Sequence, residues 1–323
     1  MLGLLVRSVD LDQLRSLPGR VQVGVLLGAI VIKSLALLLH DLRLWVMLPS
    51  PRPPLFEVVR LGMIAGVVNL VSPGRAGDLV NVALLRTRCR VPLGTATASM
   101  GLVAVIEAAA FGSLLLAGLA FGATRWKELI GEDAHHQAFE LVGLATGVGL
   151  IGLTAVAIIG RRLATRKPVE ASDRPSMLHV LRTAFTQSGA VLATPRRVAL
   201  HAALAYLQVF GMVASFALAL PAVEVSVPTP LLAAAMIMGL SSVAAVVLPP
   251  SYGAGPAAAA LTVLHPLGAQ EADVLAYAAA WWVLSQLPAL LFGLPSMWSL
   301  SGWRDMVGNR SEHASPPGSE TKA

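Results

Sequence analysis

The sequence predicts an all-α polytopic membrane protein of about seven to eight transmembrane helices, including broken or re-entrant segments, arranged as an inverted repeat. Hydrophobic residues make up 55% of the 323 residues, charged residues only 13%, and the mean hydropathy is +0.71. A soluble domain carries roughly 25% charged residues, so this composition excludes a soluble enzyme and a disordered chain. The apolar residues form continuous runs and do not alternate, which argues against an outer-membrane β-barrel.

The polar residues divide the chain into three parts. Residues 1–20 are mixed and polar, and we expect them to form a cytoplasmic N-terminal segment. Residues 21–299 hold the apolar runs and form the predicted transmembrane domain. Residues 300–323 turn to Ser, Pro, Gly and charged residues, so we expect a disordered C-terminal tail.

The first apolar run, Val21–Leu39, predicts the first spanning helix. It is too long for the apolar core of a secretory signal, it contains Lys33, and it ends in His40-Asp41 without a small-residue cleavage site. Because Lys33 lies near the end of the run, we expect its long side chain to reach the membrane surface.

Seven further apolar runs follow: Val58–Ser72, Leu93–Phe121, Ala138–Ile159, Val198–Leu220, Leu231–Leu248, Pro256–Leu267 and Ala272–Leu294. A full span takes about 20 residues, so the runs at Val58–Ser72 and Pro256–Leu267 are short. Both adjoin Gly/Pro clusters. We therefore expect about six or seven full spans and one or two broken or re-entrant segments.

The charge distribution indicates orientation. The chain has 24 Lys and Arg against 18 Asp and Glu, and the basic residues concentrate in segments 73–92 and 160–197. The positive-inside rule places both segments, together with residues 1–20, on the cytoplasmic side of the membrane. We expect a multi-pass protein of the plasma membrane, of the bacterial cytoplasmic-membrane type. Basic loops of this kind bind anionic lipid headgroups. The sequence has no basic and aromatic surface on which nucleic-acid bases could stack, so we expect no nucleic-acid partner.

Between Pro175 and Pro195 the apolar residues fall at helical spacing on one face. Two interpretations stay open for this segment. It is either an amphipathic helix lying on the inner leaflet or a linker helix packed on the bundle.

The stretch Asn69–Asp78 is the most informative part of the sequence. Pro73 removes a backbone donor, and Gly74 and Gly77 permit unusual dihedral angles at the end of a short apolar run. Such backbone is tolerated at membrane depth where it lines a polar cavity, and Arg75 there would suit a lipid phosphate. The alternative is a cytoplasmic turn with a snorkelling arginine. The candidate substrate-binding residues here are Asn69, Gly74, Arg75, Gly77 and Asp78.

A second break, Leu248–Pro256, interrupts the apolar runs of the second half. Paired Gly/Pro breaks in two halves point to a binding site between inverted repeats, so we expect the two breaks to approach each other near the bundle centre. The alternative is an ordinary loop. Pro249 and Pro250 are the predicted structural breaks here, as Pro73 is in the first half. The candidate binding residues are Tyr252, Gly253 and Gly255.

Glu107 lies near the middle of a long apolar run, too far from either end to snorkel. A charged residue there costs about 2.5–3.5 kcal/mol, so Glu107 should face the bundle interior, paired with a cation such as Arg75 or protonated. It is either a coupling or headgroup-contact carboxylate or a buried structural hydrogen-bonding group. We expect no metal site at His135-His136, no catalytic residue, no cofactor and an inert thiol at Cys89.

These motifs resemble the transmembrane, flippase-like region of the lysylphosphatidylglycerol synthase family over roughly residues 20–300. Family members show an Asn-x-x-x-Pro-x-Arg-x-Gly-Glu/Asp run, which Asn69–Asp78 matches. They then carry a Glu-Arg pair followed by an acid; here Glu107 matches, and Ala108 and Phe111 stand at the other two positions. Their second-half Pro/Gly-rich loop ends in Gly-x-x-Glu, with Ala258 here in place of the Glu.

The resemblance implies a membrane domain that moves or presents lipid-linked molecules between leaflets. It also implies a stand-alone member without the aminoacyl-transferase domain of the full synthases, and therefore no aminoacyl transfer. The leading hypothesis is a lipid translocase whose partners are membrane lipids. The alternatives are a membrane enzyme acting on a lipid-linked substrate and a non-catalytic partner of a lipid- or glycan-modifying enzyme.

Overall fold

The computed structural model of the protein is helical. It describes residues 21–72, 76–121, 124, 127–128, 131–164, 177–244 and 254–299, and these residues contain ten helices of at least eleven residues and no strand. The predicted all-α polytopic fold is confirmed. Residues 1–20 and 300–323 lie outside the described part of the chain, so the expectations for the N-terminal segment and the C-terminal tail stay predictions.

The ten helices, numbered here in chain order, are α1 Val23–Met47, α2 Leu55–Val71, α3 Ala76–Cys89, α4 Leu93–Phe121, α5 Glu132–Ala164, α6 Met177–Leu192, α7 Pro195–Ala222, α8 Pro230–Ala244, α9 Ala254–Leu264 and α10 Glu271–Trp298. Five of them, α1, α4, α5, α7 and α10, are long and apolar enough to cross a membrane. The remaining helices, including α8, are shorter than a full span, so within the described residues the full spans number five and not six or seven.

Helix α1 extends well past the predicted end of the first run. It continues through His40 and Asp41 to Met47, and Pro49, which cannot continue the backbone ladder, follows shortly after. The sequence interpretation ended this span at Leu39 because polar residues begin there. The apolar pattern resumes after Arg43, and tertiary packing keeps the polar residues inside the helix.

The two faces of α1 differ in character. Val23, Leu27, Val31 and Leu35 recur every four residues and are exposed, as expected for a face in contact with lipid chains. A second exposed apolar face lies on α5. Both surfaces are much larger than the scattered apolar residues of a soluble protein surface, and a bilayer would cover them.

Contacts at the helix ends show how α1, α4 and α7 run relative to one another. Gln22 N donates to Ala222 O at 2.8 Å, so the start of α1 lies beside the end of α7. Met47 and Thr95 line one cavity, so the end of α1 lies beside the start of α4. We call these the Ala222 end and the Met47 end of the bundle.

The short helices form two hairpins that enter the bundle from opposite ends. Helices α2 and α3 pack on each other and connect α1 to α4 at the Met47 end. Helices α8 and α9 also pack on each other. They connect α7 to α10 at the Ala222 end, where Tyr277 Oη of α10 donates to Phe216 O of α7 at 3.2 Å. This is how an inverted repeat would place them.

The residues of the two breaks at 73–75 and 245–253 lie outside the described part of the chain. Their approach near the bundle centre, and the inverted repeat itself, stay predictions.

The helix directions bear on the predicted orientation. The ends of α3 and α5 and all of α6 lie at the Met47 end, whereas residue 21 lies at the Ala222 end. Residues 1–20 lie outside the described chain, so their cytoplasmic placement stays a prediction.

Helix α6 packs on the bundle. A side chain at Gly160 of α5 would collide with the backbone of Phe185 and Gly189 in α6, so the two helices approach closely. At Gly94 of α4 the neighbour is Thr183 of α6. Of the two interpretations left open for this segment, these contacts favour the helix packed on the bundle.

Candidate functional site

Polar side chains from three spanning helices meet around Glu107, the middle residue of α4. Its Oε2 atom lies 3.0 Å from Arg43 Nη1, 3.1 Å from His40 Nδ1 and 2.9 Å from Gln208 Nε2. His201 lies on the other side of the arginine. We call these five side chains the Glu107 cluster: His40 and Arg43 of α1, Glu107 of α4, and His201 and Gln208 of α7.

Arg43 is the centre of the cluster and is 0% exposed. Besides Glu107, its guanidinium donates to Val103 O at 2.9 Å, to His201 Nε2 at 3.3 Å and to Gln208 Oε1. Because Arg43 always carries its protons, His201 accepts at Nε2 and holds its own proton at Nδ1. Among the described residues, neither His201 Nδ1 nor Arg43 Nε has a hydrogen-bond partner.

Burial makes this pair interdependent. A single charge at mid-membrane depth costs about 2.5–3.5 kcal/mol on insertion scales, and the opposite charge offsets much of that cost. Gln208 bridges the pair, because its amide donates to Glu107 while its carbonyl accepts from Arg43. Glu107 and His40 are each 20% exposed, so the cluster opens on one side while Arg43 closes the other.

Helical periodicity explains why these residues meet. Lys33, His40 and Arg43 fall on the inner face of α1 at spacings of seven and three, and His201 and Gln208 are seven apart on α7. Helices α1 and α7 are antiparallel and share the most extensive interface in the bundle. Both faces therefore converge on Glu107 of α4.

The structure changes two expectations about charged residues. Glu107 faces the bundle interior as predicted, but its cation among the described residues is Arg43, since Arg75 lies outside them. Lys33 does not snorkel: it is 6% exposed and its Nζ lies 4.8 Å from the centre of the Phe216 ring. A cation over an aromatic face gains several tenths of a kcal/mol or more, which helps to hold Lys33 inside.

The sequence analysis missed His40, Arg43, His201 and Gln208. The signal was present on α1, because Lys33, His40 and Arg43 share one face if the helix continues past Leu39. No comparable signal existed on α7, where single polar residues stand in an apolar run.

The first predicted motif forms a junction between α2 and α3. Asn69 Oδ1 accepts a hydrogen bond from Gly77 N at 2.7 Å, and Asn69 Nδ2 donates to Asp78 Oδ1 at 3.2 Å. A side chain at Gly77 would collide with Ala65 O and with Asn69. Asn69 therefore satisfies a free donor in the first turn of α3, and Asp78 lies where a helix dipole favours a carboxylate.

The remaining predicted site residues are only partly described. Gly255 is the second residue of α9. Pro73, Gly74, Arg75, Pro249, Pro250, Tyr252 and Gly253 lie outside the described residues. Their assigned roles stay predictions.

The two histidines considered as metal ligands, His135 and His136, have ordinary partners. His135 is buried with its Nε2 atom 3.1 Å from Leu119 O, and His136 pairs with Glu140 at 3.1 Å. Cys89 ends α3 and is partly buried, and burial raises the pKa of its thiol. No group of three metal-ligating side chains occurs among the described residues.

The five apolar spans agree with the outcome of a family comparison. A family described as the lysylphosphatidylglycerol synthase TM region matches residues 1–293. The chain belongs to this family. No curated protein and no solved structure matches it.

As a member of the lysylphosphatidylglycerol synthase TM region family, the protein is a multi-pass membrane protein related to lipid modification or flipping. The resemblance described in the sequence analysis leads one to expect charged residues at three positions where this chain has Ala108, Phe111 and Ala258. In this member the cation beside Glu107 is supplied by α1, through Arg43.

Proposed function

We propose that the protein is a lipid translocase, which moves or presents a polar-headgroup or lipid-linked molecule between the leaflets of the plasma membrane. Family membership supports a lipid-related role, and the five spans supply a membrane domain. The Glu107 cluster carries the proposal, because ionisable residues inside a membrane are costly and usually mark a substrate or ion path.

The cluster has the chemistry that a charged headgroup needs. Arg43 presents a planar guanidinium that matches a phosphate, and Glu107 neutralises that guanidinium when no ligand is present. A headgroup phosphate would compete with Glu107 for Arg43, while the exposed side of Glu107 and His40 supplies the approach. When the phosphate replaces Glu107 as the partner of Arg43, the positive charge of Arg43 would stay paired with a negative charge.

The first-half motif supplies the second part of the proposed path. Arg75 would hold the phosphate near the membrane surface, at the α2–α3 junction that Asn69, Gly77 and Asp78 shape. Gly74, Gly253 and Gly255 would leave room for the headgroup, and Tyr252 would contribute to binding it. Rocking of the two hairpins against the five spans would expose the path to either leaflet.

Reconstitution tests this function. Purified protein in vesicles with a fluorescent phospholipid in the inner leaflet should raise the rate at which the lipid becomes accessible to an external quencher. Glu107→Gln should lower that rate per folded molecule at least about tenfold, an effect of about 1.4 kcal/mol. Glu271→Gln, an exposed acid in the first turn of α10, is the matched control. Equal rates in protein-containing and empty vesicles, for each lipid headgroup class tested, would reject a translocase.

A second candidate function is a non-catalytic partner of a lipid- or glycolipid-modifying enzyme, or such an enzyme itself. It is favoured by Ala108, Phe111 and Ala258, which stand where the resemblance described in the sequence analysis leads one to expect charged residues. Leaflet-resolved lipid analysis of a deletion strain separates the two. A lipid that shifts between leaflets without a change in total amount supports transport, and the loss of a modified lipid supports the second function.

A further inference from the structure

His40 is the member of the Glu107 cluster best placed to gain and lose a proton. Its Nδ1 atom lies 3.1 Å from Glu107 Oε2. An ionised carboxylate only accepts hydrogen bonds, so Nδ1 carries a hydrogen and donates whether the ring is neutral or charged. The ring therefore titrates at Nε2, and its side chain is 20% exposed on the open side of the cluster. Histidine is also the side chain whose charge ordinarily changes near neutral pH.

The other members of the cluster hold their charges fixed. Arg43 keeps all of its protons. His201 accepts from Arg43 at Nε2, 3.3 Å away, so a proton at that nitrogen would set two donors and two positive charges against each other. Glu107 is held ionised, because Arg43 at 3.0 Å and Gln208 at 2.9 Å both donate to its Oε2 atom. A proton that enters the cluster is therefore accepted at His40.

Titratable groups on α1 and on the helices packed against it, α2, α4, α7 and α10, set the charge balance around His40. They are Lys33, Asp41 and Arg43 on α1, Glu57 and Arg60 on α2, Glu107 on α4, Arg196, Arg197, His201 and Tyr206 on α7, and Glu271, Asp273 and Tyr277 on α10. The two α2 groups lie 3.3 Å apart and offset each other, and the α10 groups lie toward the Ala222 end. On the inner face of the bundle, Lys33 and Arg43 supply two positive charges. Asp41 and Glu107 supply two negative charges, so these four groups sum to zero while both histidines are neutral.

A bound headgroup disturbs this balance. In the function proposed above, a phosphate replaces Glu107 as the partner of Arg43, which leaves the carboxylate of Glu107 without its cation. A singly charged phosphodiester also adds one negative charge at membrane depth, where an unpaired charge is costly. A proton on His40 corrects both, because the imidazolium pairs with Glu107 through the existing contact and cancels the added charge.

We propose that His40 is a proton-binding site and that the protein is a symporter, which carries one proton with each singly charged headgroup. This proposal rests on the lipid translocase function proposed above. The proton comes from water on the side where the headgroup enters, binds at Nε2 of the neutral imidazole, and returns to water on the side where the headgroup leaves. No other bond forms or breaks. Because the headgroup and the proton together carry no net charge, a pH gradient drives their movement and a membrane potential does not.

Vesicles with an imposed pH gradient test the proposal. The full-length protein is reconstituted into phosphatidylcholine vesicles that contain a trace of fluorescent phosphatidylglycerol, and an external quencher reports the share of that lipid in the outer leaflet. At a gradient of about one pH unit and no membrane potential, the lipid should become about tenfold enriched in the leaflet that faces the alkaline side, because the proton and lipid gradients balance at equilibrium. This ratio does not depend on the orientation of the protein, and protein-free vesicles give the background.

A membrane potential separates symport from the movement of an uncompensated charge. Without a pH gradient, a potential of about 60 mV, set by a potassium gradient and valinomycin, should leave the lipid evenly distributed. A headgroup that crosses without a proton would instead reach about a tenfold ratio, since a potential of about 60 mV acting on one charge corresponds to that factor.

Substitutions of single histidines locate the proton. His40→Gln keeps an amide donor for Glu107 but cannot take up a proton, so the ratio under the pH gradient should fall from about ten to about one. His201→Gln should keep a ratio of about ten even where exchange slows, because a change in rate does not move an equilibrium. His136→Gln is the matched control, since His136 is an exposed histidine that also pairs with a glutamate, and it should alter neither the ratio nor the rate.

The outcomes separate the symport from the function on which it rests. No protein-dependent exchange of the lipid overturns the translocase function and the symport with it. Exchange that ends at an even distribution under the pH gradient overturns the symport alone. A ratio that stays at about ten in His40→Gln places the proton on Asp41 or Glu107 and overturns the assignment to His40. If His40→Gln folds poorly, the wild-type ratios still decide the symport, and His40→Asn repeats the test of the site.

Discussion

At the scale of single residues, Arg43 is the most consequential side chain that the structure reveals. It is fully buried and contacts four other residues. Among the described residues, Arg43 and the titratable His40 are the basic side chains within 4.0 Å of Glu107. A structural role and a functional role predict different outcomes for the same substitutions.

The pair Arg43–Glu107 gives the first prediction. Arg43→Ala should lower the free energy of unfolding by about 3–5 kcal/mol, because it leaves a buried carboxylate without its cation. The double variant Arg43→Met with Glu107→Met removes both charges, and hydrophobic replacements of buried pairs are often neutral or stabilising. We therefore expect the double variant to regain abundance in membranes, measured by fluorescence-detected size exclusion, while lipid translocation stays lost. Normal translocation by the double variant would show that the pair is structural.

Arg75 gives the second prediction. Arg75→Ala should abolish translocation and Arg75→Lys should impair it, because an ammonium group cannot reproduce a bidentate contact with phosphate. Abundance should be unchanged in both. Arg88→Ala, in the exposed last turn of α3, should be nearly silent and serves as the control. A poorly folded Arg75→Ala protein whose folded fraction translocates normally would make Arg75 a structural residue.

Sequence reasoning at this scale located Glu107 but not its partners. A lone acid in the middle of an apolar run is visible because a charge there must be compensated. The compensating residues come from α1 and α7, and which faces of those helices meet α4 depends on packing that a single sequence does not contain. Arg43 could have been predicted to face the bundle interior from its helical spacing to Lys33 and His40.

At the scale of elements, the α2–α3 junction shows how a short motif builds a helix hairpin. Asn69 satisfies a donor of Gly77 and contacts Asp78, so one side chain joins the end of α2 to the first turn of α3. The sequence predicted a break here from Pro73, Gly74 and Gly77. It did not predict that Asn69 spans the break.

The junction gives the third prediction. Gly77→Ala should destabilise the hairpin, because the added methyl group would collide with Ala65 O, and a backbone atom cannot easily move aside. Asn69→Ala should also destabilise it, by about 1–3 kcal/mol for the unsatisfied donor. Gly101→Ala on α4, where the added methyl group meets open space, is the control. Thermal unfolding in detergent measures all three, and equal melting temperatures for Gly77→Ala and Gly101→Ala would contradict the close approach.

The helix boundaries show a second limit of sequence reasoning at this scale. Runs bounded by prolines or glycines were placed well, as the start of α4 at Leu93 and its end at Phe121 show. The end of α1 was placed eight residues too early, since polar residues inside a helix look like a loop when their partners are unknown. The two short runs form helices too short for a full span, as their length predicted, whereas the breaks beside them lie outside the described residues.

At the scale of the whole molecule, the two hairpins decide the orientation of the chain. Five spans cross the bundle, and the α2–α3 and α8–α9 hairpins each return to the end from which they start. An odd number of crossings places residue 21 and the end of α10 at opposite ends. The described parts of the larger basic segments, 76–92, 160–164 and 177–197, lie at the Met47 end, so the positive-inside rule assigns that end to the cytoplasm.

This orientation gives the last prediction, which cysteine labelling in intact cells tests. Cys89 is the only cysteine, so Cys89→Ser provides a background without thiols. In that background Arg88→Cys and Lys167→Cys should react with a membrane-impermeant maleimide only after the cells are opened. Gln22→Cys and Gly268→Cys should react from outside, since Gln22 lies beside Ala222 and Gly268 precedes α10 at the same end.

Each labelled position tests a specific alternative topology. If residues 1–20 lead into α1 from the cytoplasm, Gln22→Cys is protected in intact cells. If α8 and α9 together cross the membrane once, Gly268→Cys is protected instead, because the chain would reach α10 from the other side. Labelling of Arg88→Cys or Lys167→Cys in intact cells would reverse the assignment of the Met47 end.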